Sequence, residues 1–364
     1  VGHSWKNGRA PGTSGTSATP TPSLAPTGAT KTVTDSLGRA VVIPETCTRI
    51  AALDSFAGEA LVMAGAGPLL VAVPNGVSSD VILQEICPGL ADVMTAKSSG
   101  AINIESIAAA SPDVALIRVS TYYTTDEIAK LDKLGLPYLV IDYTTVDGQI
   151  AALELLESLL PSDQAATMAR IVATYRDTVA RVEACAAAVP EDSRVRVLHA
   201  INSVTVTDGG SSIGADWVTR AGAVNVSAGE EGVASDRGDY TATLEQIFVW
   251  DPDVVVCNEV NTVDYLLSDS KWVGLRAVME GTVYNIPIGA GRWGQRGSVE
   301  TWFAMEWLGC LLYPEQFAGM DLRADVEAFY SDVLGITVDD DLWEDMCEGR
   351  ELRKHATGEN AQNP

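Results

Sequence analysis

The sequence predicts an α/β protein: two wound α/β lobes joined by one long α-helix, with a ligand cleft between the lobes. Three observations carry this. Short apolar strands alternate with helical segments along most of the chain, the pattern of parallel, wound sheets. A 16-residue segment recurs, NIESIAAASPDVALIR from Asn103 and TLEQIFVWDPDVVVCN from Thr243, with five identities at a spacing of 140. Between the copies, residues 162–188 carry periodic apolar positions and no Gly or Pro. At ~1.5 Å per residue that helix spans roughly 40 Å, enough to cross from one lobe to the other.

The elements follow in order. Residues 32–43, TVTDSLGRAVVI, read as a hairpin around Ser-Leu-Gly. A strand over 49–53 leads into a helix from Asp54 to Ala64, stopped by Gly65 and Gly67. Strands over 70–73, 114–117 and 138–141 follow, with helices over 104–108 and 126–134 between them. Beyond the long helix the pattern restarts, with strands over 195–200, 254–257 and 283–286. Helices over 212–221, 244–248, 272–277, 301–312 and 322–334 complete it. The organisation expected is a low-complexity tether over 1–30, an N-terminal lobe over 31–160 and the connecting helix over 161–189. A C-terminal lobe over 190–335 and a tail over 336–364 complete the chain. In both repeats Pro-Asp closes the helix and fixes the turn into a buried strand.

Composition excludes several function classes. The chain has 364 residues, 49 acidic and 24 basic, for a net charge of −25. Nucleic-acid binding and a polybasic grip on lipid both need the opposite excess. No uninterrupted apolar run reaches the ~18 residues of a transmembrane helix. The Ser/Thr/Pro/Gly tether suits a mature exported protein, periplasmic or held at a membrane only by a lipid anchor, and monomeric. No CxxC pair and no His at ligand spacing accompany the six cysteines, which argues against zinc. Cys257 reads as a buried thiol; Cys47 with Cys87, and Cys310 with Cys347, are candidate disulfides. Catalytic motifs are absent: there is no GxSxG, HExxH or P-loop, and His199 lies inside an apolar strand. The chain therefore reads as a binding protein, without a resident cofactor.

Ligands of wound sheets bind beyond the C-terminal ends of strands. Those positions hold Ser55, Asn75, Arg118, Tyr122 and Tyr123 in the first lobe. The second lobe offers Asn202, Asn258, Glu259 and the run GAGRWGQRGS with Arg292, Trp293 and Arg296; Arg237 joins this ligand set. Guanidinium groups with rings and amides suit an anionic, partly aromatic ligand. Each guanidinium could instead pair with a neighbouring carboxylate.

The chain resembles the substrate-binding proteins of ABC importers that deliver ferric siderophores, haem and vitamin B12, the helical-backbone class III. The carriers are the opening VTDSLGRAVVIPETCTRIAAL, the paired IESIAAASPDV and LEQIFVWDPDV, the single long helix and the closing EWLGCLLYPEQF. The resemblance covers nearly all of residues 32–335. It implies that Glu105 and Glu245 project from the two lobes and dock onto arginines of the permease. It also implies that Arg118 and the loop from Arg292 to Arg296 border the ligand. Vitamin B12 relatives carry an aromatic residue at the Arg118 position, so an acidic chelate is expected over cobalamin. DLRADVEAFYSDVLG is similar to members for iron complexes, some of which bind molybdate. The leading expectation is capture of an anionic metal chelate, siderophore or haem-like. An oxyanion or a corrinoid is the alternative, as is, from another class, a two-lobed metal-cluster enzyme component.

Overall fold

The computed structural model describes residues 23–95, 97–98, 101–229, 239–350 and 352. A hairpin of β1 (Thr30–Thr34) and β2 (Ala40–Pro44) leads in, paired from Thr30↔Pro44 to Thr34↔Ala40. β3 (Ile50–Ala52), β4 (Leu70–Val73) and β5 (Met94–Thr95) follow. A short pair, β6 (Lys97–Ser98) with β7 (Ala101–Ile102), precedes β8 (Val114–Arg118) and β9 (Tyr138–Ile141). The N-terminal sheet is parallel throughout, in the order β5-β4-β3-β8-β9. In the second lobe come β10 (Arg196–Ala200), β11 (Val206–Asp208), β12 (Val224–Asn225), β13 (Asp239–Thr241), β14 (Val254–Cys257) and β15 (Val283–Asn285). Its sheet is parallel in the order β12-β10-β14-β15, with β11 and β13 forming a separate antiparallel pair.

The sequence repeat is a structural repeat. The helices Ile104–Ala110 and Leu244–Trp250 are each capped by the preceding side chain, Asn103 onto Ser106 N and Thr243 onto Gln246 N. Each ends on a left-handed residue, Ser111 (φ 45°) and Asp251 (φ 43°). Among the described residues these are the two non-glycines at positive φ, and they too stand 140 positions apart. Asp113 accepts from Arg49 N (2.9 Å) and Asp253 from Arg196 N (2.9 Å), each tying the turn to the first strand of its lobe. The guanidinium of Arg49 reaches Ala110 O, and that of Arg196 reaches Trp250 O. One set of bonds closes the same helix–turn–strand unit twice.

The connecting helix runs Ser162–Ala186 without a break. Its buried side, with Met168, Ile171, Tyr175, Val179 and Val182, enters the large core together with Trp302, Phe303 and Leu308 of the helix Thr301–Leu312. A further helix, Val146–Glu157, packs beside it and was not expected from the sequence. Thr145 caps that helix onto Gly148 N, and Val146, Ile150, Leu153 and Leu156 face inward.

Two boundaries differ from expectation. Residues 1–22 of the expected tether lie outside the described residues, but Leu24 N donates to Leu134 O (2.6 Å) and its side chain packs on the N-terminal lobe. The tail is part of the second lobe as far as it is described. Ile336, Val338, Met346 and Leu352 are buried in the main core, and Ile288 N donates to Met346 O (2.9 Å). The expected disulfides do not form: Cys47, Cys87, Cys310 and Cys347 are all free thiols, as are Cys185 and Cys257. Cys47 points at the carbonyl of Pro44, whereas Cys87 turns its sulfur onto Gly67. Cys257 is buried in β14, and burial pushes its thiol far above the usual range.

Candidate functional site

The strand ends of the two lobes face one cleft of about 310 Å³. Arg118 reaches it from β8, and Arg292 and Arg296 reach it from the glycine-rich loop after β15. Each guanidinium is held by a carboxylate: Arg118 by Asp54 (3.3 Å), Arg292 by Glu259 (3.1 Å) and Arg296 by Asp142 (2.6 Å). A guanidinium has five N–H donors in a rigid fork, so such contacts fix its direction toward the cleft; Arg292 donates also to Gln295 Oε1 (3.4 Å). Burial pulls Arg292 down to about 10, which leaves it charged at neutral pH.

The loop is anchored from behind by two buried acids. Glu59, on the helix Ser55–Met63, accepts from Val299 N (2.7 Å). Glu300 accepts from Gly291 N (2.9 Å), Trp293 Nε1 (3.2 Å) and the hydroxyl of Tyr330 (2.7 Å), which itself accepts from Ala290 N (2.7 Å). A Cβ at Gly291 would collide with the Glu59 carboxyl, so glycine is what lets the loop lie this close. Burial first, then the charge of Glu300, pushes Glu59 well above the usual carboxylate range. Burial raises Glu300 to about 7. Asp80, which caps the helix Val81–Ile86 and faces Arg292, is raised by burial to about 7 against its backbone N–H partners. Near neutral pH Glu59 and Asp80 are thus held partly in their neutral forms, and the arginines carry more weight than a count of charged side chains suggests.

Of the twelve residues expected at the ligand, six line this cleft: Ser55, Arg118, Asn202, Asn258, Arg292 and Arg296. Glu259 stands behind Arg292 as its partner. Asn75 begins the short helix Asn75–Ser78, whose next residue, Gly76, lines the cleft instead. Trp293 is a correction: its ring is fully buried against Phe303 (5.1 Å) because its N–H is committed to Glu300. Tyr122 stacks under the Arg39 guanidinium (4.6 Å), and Tyr123 is 72% exposed; neither lines the cleft. Arg237 lies outside the described residues. The aromatic side chain that does line the cleft is Tyr143, after β9, whose hydroxyl donates to the carbonyl of Arg296. Tyr143, Glu59, Asp80 and the pair His199–Asp208 were missed by sequence reasoning. His199 is fully buried as expected, yet it stands in the cleft wall.

Glu105 and Glu245 lie away from the cleft, exposed in the first turns of the two repeat helices. Among the described residues no helix is long and apolar enough to cross a membrane, and no three His, Cys, Asp or Glu side chains gather as a metal site.

Two parallel lobes, one connecting helix and a polar cleft between strand ends define a solute-binding protein. The chain belongs to the periplasmic binding protein family, whose model matches residues 50–288. It is a periplasmic solute-binding protein and not an enzyme. It is similar to the molybdate-binding protein MolA of Haemophilus influenzae, with 24% identity over 326 residues covering 83% of this chain and 90% of MolA. The crystal structure of MolA bound to molybdate superposes with a TM-score of 0.74 at 22% identity, covering 85% of this chain and 99% of that one. A periplasmic solute-binding protein of Veillonella parvula gives a TM-score of 0.71 at 24% identity, covering 89% and 99%. The vitamin B12-binding protein BtuF of Vibrio cholerae gives 0.59 at 21% identity, covering 75% and 99%.

Proposed function

We propose that this protein captures a small anionic solute, of the tetrahedral oxyanion kind, and hands it to an ABC permease. The observation that carries this is the convergence of Arg118, Arg292 and Arg296 on one cleft of about 310 Å³. That volume is at the floor of the roughly 300–1,000 Å³ typical of small-molecule pockets, and haem and cobalamin need far more. Guanidinium forks bind oxyanions bidentately. The likeness to a molybdate-binding protein agrees with this reading. Lobes bridged by one unbroken helix favour a largely preformed site.

A ferric chelate is the second reading. The cleft opens to solvent, so ligand bulk can project outward. Titration calorimetry with molybdate, tungstate and sulfate, and separately with ferric siderophores, haem and cobalamin, decides between the readings. Saturable binding of an oxyanion, weakened at least about tenfold by Arg292→Ala, supports the first. Binding only of a ferric chelate replaces it with the second. Binding of none of them rejects both.

Glu105 and Glu245 are the proposed docking points for the permease. Both are exposed carboxylates at the same place in the two repeats, which makes a two-point ionic latch. Charge reversal at both should abolish uptake in vesicles carrying the permease while ligand affinity stays unchanged. Unchanged uptake removes this assignment.

A further inference from the structure

The wall opposite Arg118 contains a buried polar chain that the arginines do not explain. In β10, His199 has its Nδ1 2.6 Å from Asp208 Oδ2 and its Nε2 2.9 Å from Asn258 Oδ1. The other oxygen of Asp208 accepts from Ser212 Oγ (3.0 Å). Gly214 packs so closely on that carboxylate that any Cβ there would collide with it, so Asp208 is held firmly in place. His199 and Asn258 are 1% and 2% exposed, and both line the cleft.

Both ring nitrogens therefore face oxygen atoms. An imidazolium satisfies both by donating twice. A neutral ring satisfies only one. With its proton on Nδ1, toward the Asp208 carboxylate, its Nε2 presents a lone pair to Asn258 Oδ1. The amide must then turn over, so that Nδ2–H donates to the ring and Oδ1 takes the place of Nδ2. In the present orientation Asn258 Nδ2 is buried and has no hydrogen-bond acceptor among the described residues. Unsatisfied buried donors are costly, and an anion in the cleft is the natural acceptor.

We propose that the proton on His199 sets which way the Asn258 amide faces, and so switches the cleft wall between donating to an anion and repelling it. His199 is a positioning residue in this scheme and Asn258 is the ligand-binding group. The proposal rests on the anion-binding reading of the cleft. The groups facing the ring are few. Asp208 of β11 and Asp239 of β13 favour its charge, and Trp217 meets it edge-on (5.3 Å). Asp216, on the helix Ile213–Arg220 that carries Trp217, is paired with Arg220. Across the cleft stand Arg118, Arg292 and Arg296 with Asp54, Glu59 and Asp80. Burial opposes the imidazolium, but Asp208 and the Asn258 contact outweigh it, and the net shift of His199 is upward. Anion affinity is accordingly full at low pH and is lost as pH rises through the raised value. By reciprocity a bound anion raises it further.

The test has two arms. The first needs no ligand: nitrogen-15 NMR of the His ring and of the Asn258 side-chain amide in the full chain, from about pH 5.5 to about pH 9. Both ring nitrogens should be protonated at the acid end. Nε2 should lose its proton on the way up, and the Asn258 NH2 signals should shift at the same midpoint. A ring that stays in one state throughout, or an amide that does not follow it, overturns the switch whatever the ligand proves to be. The second arm is calorimetry with molybdate over the range where it remains a dianion. The wild-type Kd should weaken about tenfold across the His199 titration, and His199→Gln should hold it within about twofold. Asn258→Asp, which keeps shape and removes the donor, should bind weakly at every pH. A flat wild-type Kd with firm binding overturns the proposal, whereas no binding of molybdate, tungstate or sulfate at any pH rejects the anion reading and leaves the NMR arm to judge the switch.

Discussion

The two repeats share a scaffold and differ at its working tip. From 101 to 110 and from 241 to 250 the residue-by-residue exposure pattern is the same, and caps, left-handed ends and aspartate ties correspond one for one. At the last position the correspondence breaks. Arg118 ends one copy and Asn258 the other. The first brings a charge held by Asp54; the second brings an amide held by a histidine. A duplicated frame thus gives the cleft two chemically unlike walls, one a fixed cation and the other adjustable.

This asymmetry sets the largest predicted effect. Arg118→Ala should weaken oxyanion binding by about 2–3 kcal/mol and Asn258→Ala by about 1 kcal/mol, as expected for charged and neutral donors. Equal losses, measured by calorimetry at pH 6, would erase the distinction between the walls. The next effect concerns the ties. Asp113 accepts from Thr48 N, Thr48 Oγ1 and Arg49 N, whereas Asp253 accepts from Arg196 N and pairs with Arg276 at the surface. Asp113→Ala should cost about 2–3 kcal/mol and Asp253→Ala about 1–2 kcal/mol in denaturant unfolding.

A pH effect of similar size per unit arises where the lobes meet. Glu59 of the first lobe and Glu300 of the second both hold their protons more tightly folded than unfolded. Groups raised in this way stabilise the fold fully below the unfolded carboxylate value, near 4.3, and that stability is lost as pH rises through the folded one. The Tm should therefore fall between about pH 5 and pH 8, and Glu59→Gln should flatten the fall by up to about 1.4 kcal/mol per unit. An unaltered slope would mean that the buried pair does not titrate there. The smallest effect is a matched pair. Ser111→Gly and Asp251→Gly relieve the same left-handed strain, for about 0.5 kcal/mol of added stability at Ser111. The gain at Asp251 should be smaller, because that change also gives up the ion pair with Arg276.

The frame was legible because its signals are local. Caps, Pro-Asp turns and strand-length apolar runs each span a few residues, and they located the repeat helices, the long helix and both sheets. Arg118, Arg292 and Arg296 were legible as cations at strand ends in an acidic chain. What failed depended on which way a side chain turns. Trp293 sits close to two cleft arginines in sequence, but its indole N–H is drawn inward by Glu300, and strand patterning is no guide to a partner seven residues further on. Glu59 lies on an apolar helix, and its role follows from a glycine loop some 230 residues away. The residues after 335 read as a tail because they lie beyond the resemblance, yet Ile336, Val338 and Met346 are buried in the core.

The large core has a consequence for how the molecule comes apart. It contains Ile50, Val114 and Leu116 from the first sheet, Val197, Val254 and Val256 from the second, and the inner side of the connecting helix. Each sheet keeps a private layer only on its outer face. Neither half can shed water from its inner face alone, so the two lobes should melt as one thermodynamic unit despite their repeated sequence, with the outer layers alone free to open earlier.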